Sequence, residues 1–282
     1  MGLRETQQKY GIRFKKGLGQ NLLLDDNINR IMADAVALTD EDDVIEVGPG
    51  LGALTTRLQP DARRVLAVEI DKSFMPCLED MFGDKDNMRL FRGDILNHDI
   101  EKLVEEFLPD SRSLKMASNL PYYITTPILF HFWEAPIRIS RMVIMVQEEV
   151  ALRLVAPVGA RNYGRLALVA KYYSEVDIVH KVPRTCFLPQ PKVDSCIVRL
   201  RNREEPLYPD VDKELLTGVM RSAFSQRRKT LRNSLIKSPD AVASAEILEA
   251  AMVAAGIDPG RRAQTVSLDE FAALAREIAG RL

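Results

Sequence analysis

EVGPGLGALT (residues 46–55) places three glycines within five positions, each one residue from the next. A short apolar, β-branched run precedes the stretch and an apolar run comes after it, so it reads as a strand, a bare turn and a helix starting near Ala53. A backbone that bare lets a ligand sit against the unsatisfied N–H groups of a helix N-terminus. With Ala53 the loop also fits G-x-G-x-x-A, so a dinucleotide site, another nucleotide-like ligand and a plain tight turn all remain open at this point.

Outward from the loop, short β-rich runs alternate with helical patterns from residue 25 to about residue 150, the rhythm of a parallel sheet with helices on its faces. Strands are predicted at 44–47, 65–70, 88–92, 114–118 and 142–146. The first helix is expected from about Asp26, capped by Asp25 or Asp26, with Ile28, Ile31, Met32, Ala35 and Val36 on one face. After Glu148 come a helix, a break at GARNYG (159–164), a second helix through RLALVAKYY (165–173), and two β-like runs at 176–179 and 195–201. These two are expected to close the sheet as an antiparallel pair. At RNREEPLYPD (201–210) two prolines and mixed charge interrupt the pattern, and the chain beyond them reads as helical. The expected division is therefore a sheet domain of 1–203 and a helical domain of 204–282. Ser267-Leu-Asp-Glu270 matches a capping box that would open the last helix.

Composition narrows the functional classes. The 282 residues are 46% hydrophobic and 28% charged, enough for one large or two modest cores. No run approaches the roughly 18 apolar residues of a membrane helix, and no charged-then-apolar leader is present, so a cytoplasmic location without membrane contact is expected. The three cysteines form no C-x-x-C pair and the three histidines no H-E-x-x-H, so neither a disulfide framework nor a metal site is expected. No dimer seam is evident, and a monomer is expected.

The net charge of −1 hides an uneven distribution. Residues 1–20 carry five basic side chains, among them Lys15 and Lys16, against one acid. RSAFSQRRKTLRNSL (221–235) carries Arg221, Arg227, Arg228, Lys229 and Arg232 with no acid. Between them, from Asp25 to about residue 110, the chain is acidic and would repel a phosphate backbone. As a continuous helix, 221–235 would align Phe224, Leu231 and Leu235 on one face and Arg221, Arg228 and Arg232 beside it, a stripe that suits a phosphate backbone or is simply a solvated charged face.

Two acids give the glycine loop a more definite ligand. Glu69 ends the next strand, where a carboxylate would accept from both ribose hydroxyls. Asp94, in RGDIL, ends the third strand, where it would receive an adenine amino group or cap a helix before Ile95. NAD and S-adenosylmethionine satisfy both positions equally.

SNLPYYITTP (118–127) separates them. It comes after the fourth strand and so belongs to the same carboxyl edge of the sheet as the glycine loop. Pro121 disfavours helix at Leu120, so the Asn119 and Leu120 carbonyls can be aimed at a ligand, the alternative being a helix start with Asn119 as cap and proline in its first turn. Methyl transfer to an exocyclic adenine amine needs the flat amine drawn toward tetrahedral geometry, and an Asn oxygen with one backbone carbonyl accepting its N–H groups would do this. Tyr122 would stack on the adenine and favour the cationic sulfonium. Hydride transfer has no use for these groups.

KKGLGQNLL (15–23), EVGPGLGALT, VEID, GDIL, NLPYY, FLPQPKVDS (187–195) and FSQRRKTLRNSL (224–235), in this order, resemble the ribosomal RNA adenine N6-dimethyltransferases over nearly the whole chain. The resemblance implies a class I, Rossmann-like S-adenosylmethionine-dependent methyltransferase fold with a small all-helical C-terminal domain that binds RNA. It implies dimethylation of two adjacent adenosines near the 3′ end of 16S rRNA in the assembling small subunit. Carried over by motif, Asn21, Leu23, Gly48 and Gly50 meet the cofactor, Glu69 its ribose and Asp94 its adenine. Asn119, Leu120 and Tyr122 serve the reacting centre, and Phe187 is a second stacking surface for the target base, although read without the family it is equally a core aromatic. Leu22 departs from the family's usual Phe. Three rivals remain: a large-subunit RNA dimethyltransferase, an NAD-dependent dehydrogenase that leaves NLPY unexplained, and a non-catalytic checkpoint that occupies immature subunits.

Overall fold

A computed structural model describes residues 3–282 apart from Arg13, Phe14, Lys16, Leu18, Pro206 and Arg227, and apart from the side chains of Leu3 and Arg4. The expectations for Lys16 and Arg227 therefore lie outside the described residues. The chain divides into two compact units, Met1–Ala151 with Asp177–Asn202, and Leu152–Val176 with Arg203–Leu282.

The first unit is built on a sheet whose strands match the predicted runs within a few residues. These are β2 (Asp42–Val47), β3 (Arg64–Glu69), β4 (Met88–Arg92), β5 (Ser113–Asn119), β6 (Ile139–Gln147), β7 (Ser174–Val182) and β9 (Ser195–Asn202). The spatial order is β4-β3-β2-β5-β6-β9-β7. The first five are parallel, and β9 runs antiparallel to β6 with Val146 opposite Cys196. Every residue of β2 is buried, as a strand covered on both faces requires. Order reverses between β2 and β5, and the crevice at the carboxyl ends of such a pair is where open α/β sheets bind ligands.

Helix α2 (Asp26–Val36) begins where its cap predicts: the Asp25 carboxylate accepts from the Asn27 N–H. Ile28, Met32, Ala35 and Val36 turn inward, and Ile31 is half-buried beside them. A separate ladder pairs β1 (Leu22–Leu23) with β8 (Phe187–Leu188), Leu22 opposite Leu188 and Leu23 opposite Phe187. It joins two segments that stand far apart in sequence.

The acidic middle of the chain is less repulsive than its sequence suggests. Asp42, Asp43, Glu46, Glu69 and Asp71 are all buried in the first unit, so they contribute little to its surface field.

The second unit is helical, but it takes in more than the sequence boundary at 203 allows. Helix α8 (Arg165–Tyr173) belongs with α9 (Lys213–Ala223), α10 (Leu231–Ile236), α11 (Ala245–Ala254) and α12 (Leu268–Ala279). Phe224 packs edge-on to Tyr163, and Phe271 is fully buried nearby. Packing of this kind joins 152–176 to the helices after 203, a long-range choice that no local composition break records. The Ser267–Glu270 capping box forms in both directions.

The continuous helix over 221–235 does not form. Helix α9 stops at Ala223, and Thr230 starts α10 by accepting from the Asn233 N–H. Between them Ser225 Oγ donates to the Ser234 carbonyl and Ser234 Oγ to the Gln226 carbonyl, so side-chain hydroxyls take over backbone acceptors. The expected stripe of Arg221, Arg228 and Arg232 at helical spacing is therefore absent.

Candidate active site

The three glycines of residues 46–55 do different work. Gly52 has φ +77°, and a Cβ there would come within 2.6 Å of the Phe82 ring, so it is fixed by packing. Gly48 has φ +70°, and a Cβ there would meet nothing within 4 Å. Its bareness faces open space, which is what close ligand approach requires. The Gly50 amide donates to Glu69 Oε2 at 3.1 Å, and the Asp71 amide donates to Oε1 at 2.7 Å. The helix after the loop is the four-residue α3 (Thr55–Leu58), two residues later than expected.

Behind the loop lies a cavity that encloses about 800 Å³ of empty space when its open mouth is counted. Asn21, Leu23, Gly48, Gly50 and Glu69 line it. Asn119, Leu120 and Tyr122 line it from the β5 side, so eight residues expected at the site converge there. Asn119 Nδ2 donates to the Asn21 carbonyl at 3.3 Å, which leaves Oδ1 with no donor among the described residues. The Leu120 carbonyl likewise accepts no hydrogen bond among them. The Tyr122 hydroxyl shares a 2.7 Å hydrogen bond with Ser195 Oγ, which holds the ring over the sheet edge.

Two residues missed by sequence reasoning complete the electrostatics. Glu46 lines the cavity, is 1% exposed, and accepts from Thr55 Oγ1 at 2.6 Å. Burial pushes its carboxyl up to about 8, against the lowering effect of Thr55, and the nearby Glu69 adds to the rise. Burial also pushes Glu69 up to about 7. Neither acid has a cation beside it among the described residues. The second missed residue is Asp71, whose buried carboxylate takes Lys15 Nζ at 2.6 Å and Gln20 Nε2 at 2.7 Å. Burial opposes its charge, yet Lys15, Ser73 and Gln20 hold it down to about 2. Both had a visible signal: Glu46 opens the glycine stretch, and Asp71 stands two residues after Glu69.

Other expected residues are placed differently. Asp94 caps a short 3-10 turn, accepting from the Leu96 N–H at 3.0 Å, and lines a groove next to the cavity that shares Ile70 with it. Phe187 is 3% exposed and packed in the core, held there by β8 pairing with β1, so its ring offers no face for stacking. The exposed aromatic near this edge is Tyr123, at 54%. Lys15 is engaged by Asp71, and Arg232 forms an ion pair with Glu249. Arg221 is exposed, and Arg228 and Lys229 are exposed with no ion pair among the described residues.

The donor set suits a cation carried on an adenosine. It comprises bare backbone, carbonyl oxygens and two carboxylates, with no Lys, Arg or His among the described lining residues. A sheet of this order with this site at its reversal point defines an S-adenosylmethionine-dependent methyltransferase of class I. The structure resembles a dimethyladenosine transferase from Plasmodium falciparum at 24% identity and TM-score 0.74, covering 92% of this chain and 98% of that one. It also resembles the 23S rRNA methyltransferase ErmE at 27% identity and TM-score 0.66, covering 92% and 99%.

Residues 11–280 match the ribosomal RNA adenine dimethylase family, and the chain belongs to it. Ribosomal RNA small subunit methyltransferase A of Geobacillus sp. (strain WCH70) is 42% identical over 276 residues, 98% of this chain and 95% of that protein. The same-named protein of Bacillus cytotoxicus is 40% identical over 98% of this chain and 94% of its own length. The chain is thus a ribosomal RNA adenine dimethyltransferase that uses S-adenosylmethionine. Among the described residues no helix is long and apolar enough to cross a membrane.

Proposed function

We propose that the chain dimethylates N6 of two adjacent adenosines near the 3′ end of 16S rRNA, acting as a cytoplasmic monomer on the assembling small subunit. The observation that carries the chemistry is the pair of acceptors at the cavity, Asn119 Oδ1 and the Leu120 carbonyl, neither claimed by a donor of the described chain. When bound, S-adenosylmethionine supplies an electrophilic methyl on a sulfonium. Gly48 gives it a bare backbone, Gly50 fixes Glu69, and Glu69 accepts from its ribose hydroxyls. Asn21 and Leu23 flank its amino-acid end, and Asp94 meets its adenine from the adjoining groove.

The target adenosine has to leave its stack to reach this edge. Asn119 Oδ1 and the Leu120 carbonyl accept from its amino group, drawing the nitrogen toward tetrahedral geometry with its lone pair on the methyl carbon. Tyr122, steadied by Ser195, stacks on the base. No strong base is needed, because the excess proton leaves to water after transfer. Arg228 and Lys229 are exposed for the RNA backbone, with Arg221 and, on exchanging Glu249 for a phosphate, Arg232.

The small-subunit assignment is supported by the names of the relatives at 40–42% identity, against 27% for the 23S enzyme. Labelled methyl from S-adenosylmethionine, offered to undermethylated small and large subunits, with nuclease digestion and mass analysis of the nucleosides, tests it. N6,N6-dimethyladenosine from the small subunit alone is expected; label only in the large subunit, or none, contradicts the proposal.

A further inference from the structure

We propose that Asn29 is a further ligand of the cofactor, donating from its side-chain amide to the α-carboxylate of the amino-acid end. Asn29 lies on the inward face of α2 with Ile28 and Met32, is 3% exposed, and lines the cavity. An amide is out of place on such a face unless something bonds it.

The other amides of the cavity show what is missing. Gln20 Nε2 donates to Asp71, Asn21 Nδ2 to the Gly19 carbonyl, and Asn119 Nδ2 to the Asn21 carbonyl. Asn29 alone of these four has no side-chain hydrogen bond among the described residues. The charged residues lining the cavity, among the described residues, are Glu46 and Glu69, both acids. A ligand ammonium therefore has a carboxylate to meet, whereas a ligand carboxylate has no cation and needs a neutral donor, or it would enter an acidic, low-dielectric cavity uncompensated. Among these four amides Asn29 is the one with both N–H groups uncommitted, and so the readiest side-chain donor for it. The inference rests on the cofactor reading above and adds a residue to it.

Calorimetry on the full chain with two probes tests this: S-adenosylhomocysteine, and 5′-methylthioadenosine, which keeps the adenosine and thioether and lacks the amino-acid end. Asn29→Ala is expected to weaken S-adenosylhomocysteine about tenfold, the range of a hydrogen bond to a charged group, and to leave methylthioadenosine within about twofold. Asn29→Asp, which sets a second negative charge against the carboxylate, should weaken S-adenosylhomocysteine further. Unchanged S-adenosylhomocysteine affinity in Asn29→Ala would mean that Asn29 meets only water, and equal loss of both probes would mean that it acts through cavity shape. Tighter binding in Asn29→Asp would place it against the ammonium. Each of these three overturns the proposal. A wild-type chain that binds neither probe would instead fail the cofactor reading itself, and the proposal with it.

Discussion

Apart from Asp71, which has Lys15, the two ends of the central sheet bury carboxylates under opposite conditions. At the amino end, Asp42 takes Lys115 Nζ at 2.7 Å, and Asp43 takes Arg64 through two 2.8 Å hydrogen bonds. Burial works against the Asp42 charge, yet Lys115, Ser113 and Thr39 hold its carboxyl below the usual range. At the carboxyl end, Glu46 and Glu69 are as deeply buried but have no cation among the described residues, and burial carries them up to about 8 and about 7. Paired acids complete a fold, and unpaired ones cost it stability. Acids kept in that state inside a cavity mark where a ligand finishes the electrostatics.

The comparison breaks most sharply at the chemistry. Asn119→Ala is expected to lower methyl transfer by about 10²–10³, the usual cost of removing one preorganised polar contact to a transition state. S-adenosylhomocysteine affinity, measured in parallel by calorimetry, should fall far less. Equal loss of both would mean that Asn119 serves cofactor binding alone.

Next in size is the amino end. Lys115→Ala strands Asp42 without its cation and should cost about 3 kcal/mol in denaturant unfolding. Glu46→Gln should do the reverse for the chain without cofactor and raise its melting temperature at about pH 8. The signs come from linkage. The Asp42 contribution, with its carboxyl held down, is present above the ordinary 3.8 and fades as pH falls. The Glu46 and Glu69 contributions, with carboxyls pushed up from 4.5, are full at low pH and are lost as pH rises toward 7 and 8. Melting curves at about pH 5 and 8 should therefore show Glu46→Gln stabilising only at the higher pH.

How far the two ends could be read in the sequence differs as well. The carboxyl edge was legible because its parts are local: three spaced glycines, an acid closing each of the next strands, and a proline holding carbonyls out of a helix. The break at 224–230 was not, because Phe224 packs against Tyr163, 61 positions earlier in the sequence, and the hydroxyls of Ser225, Ser234 and Thr230 decide where helix stops. Phe187 was misplaced for a related reason: whether an aromatic is a core residue or a platform depends on the strand it pairs with, here Leu23. The pairing of Asp42 with Lys115 joins two strands 73 positions apart, so nothing in the local pattern announces it.

A smaller effect tests how the carboxyl edge is held. Tyr122→Phe and Ser195→Ala each remove one side of the 2.7 Å hydrogen bond and should raise KM for the RNA a few-fold with kcat nearly unchanged. The double substitution should be no worse than either single one. Additive losses would show that the two residues act separately.

Proton release on cofactor binding tests the account most directly. Calorimetric titration of the wild-type chain with S-adenosylhomocysteine near pH 7, in buffers of different ionisation enthalpy, counts the protons exchanged. Glu69, raised to about 7, has to ionise to accept from both ribose hydroxyls, so binding should release a fraction of a proton that Glu69→Gln no longer releases. The same proton count in both proteins, or none in the wild type, would contradict the claim that the unpaired acids of the carboxyl edge wait for this ligand.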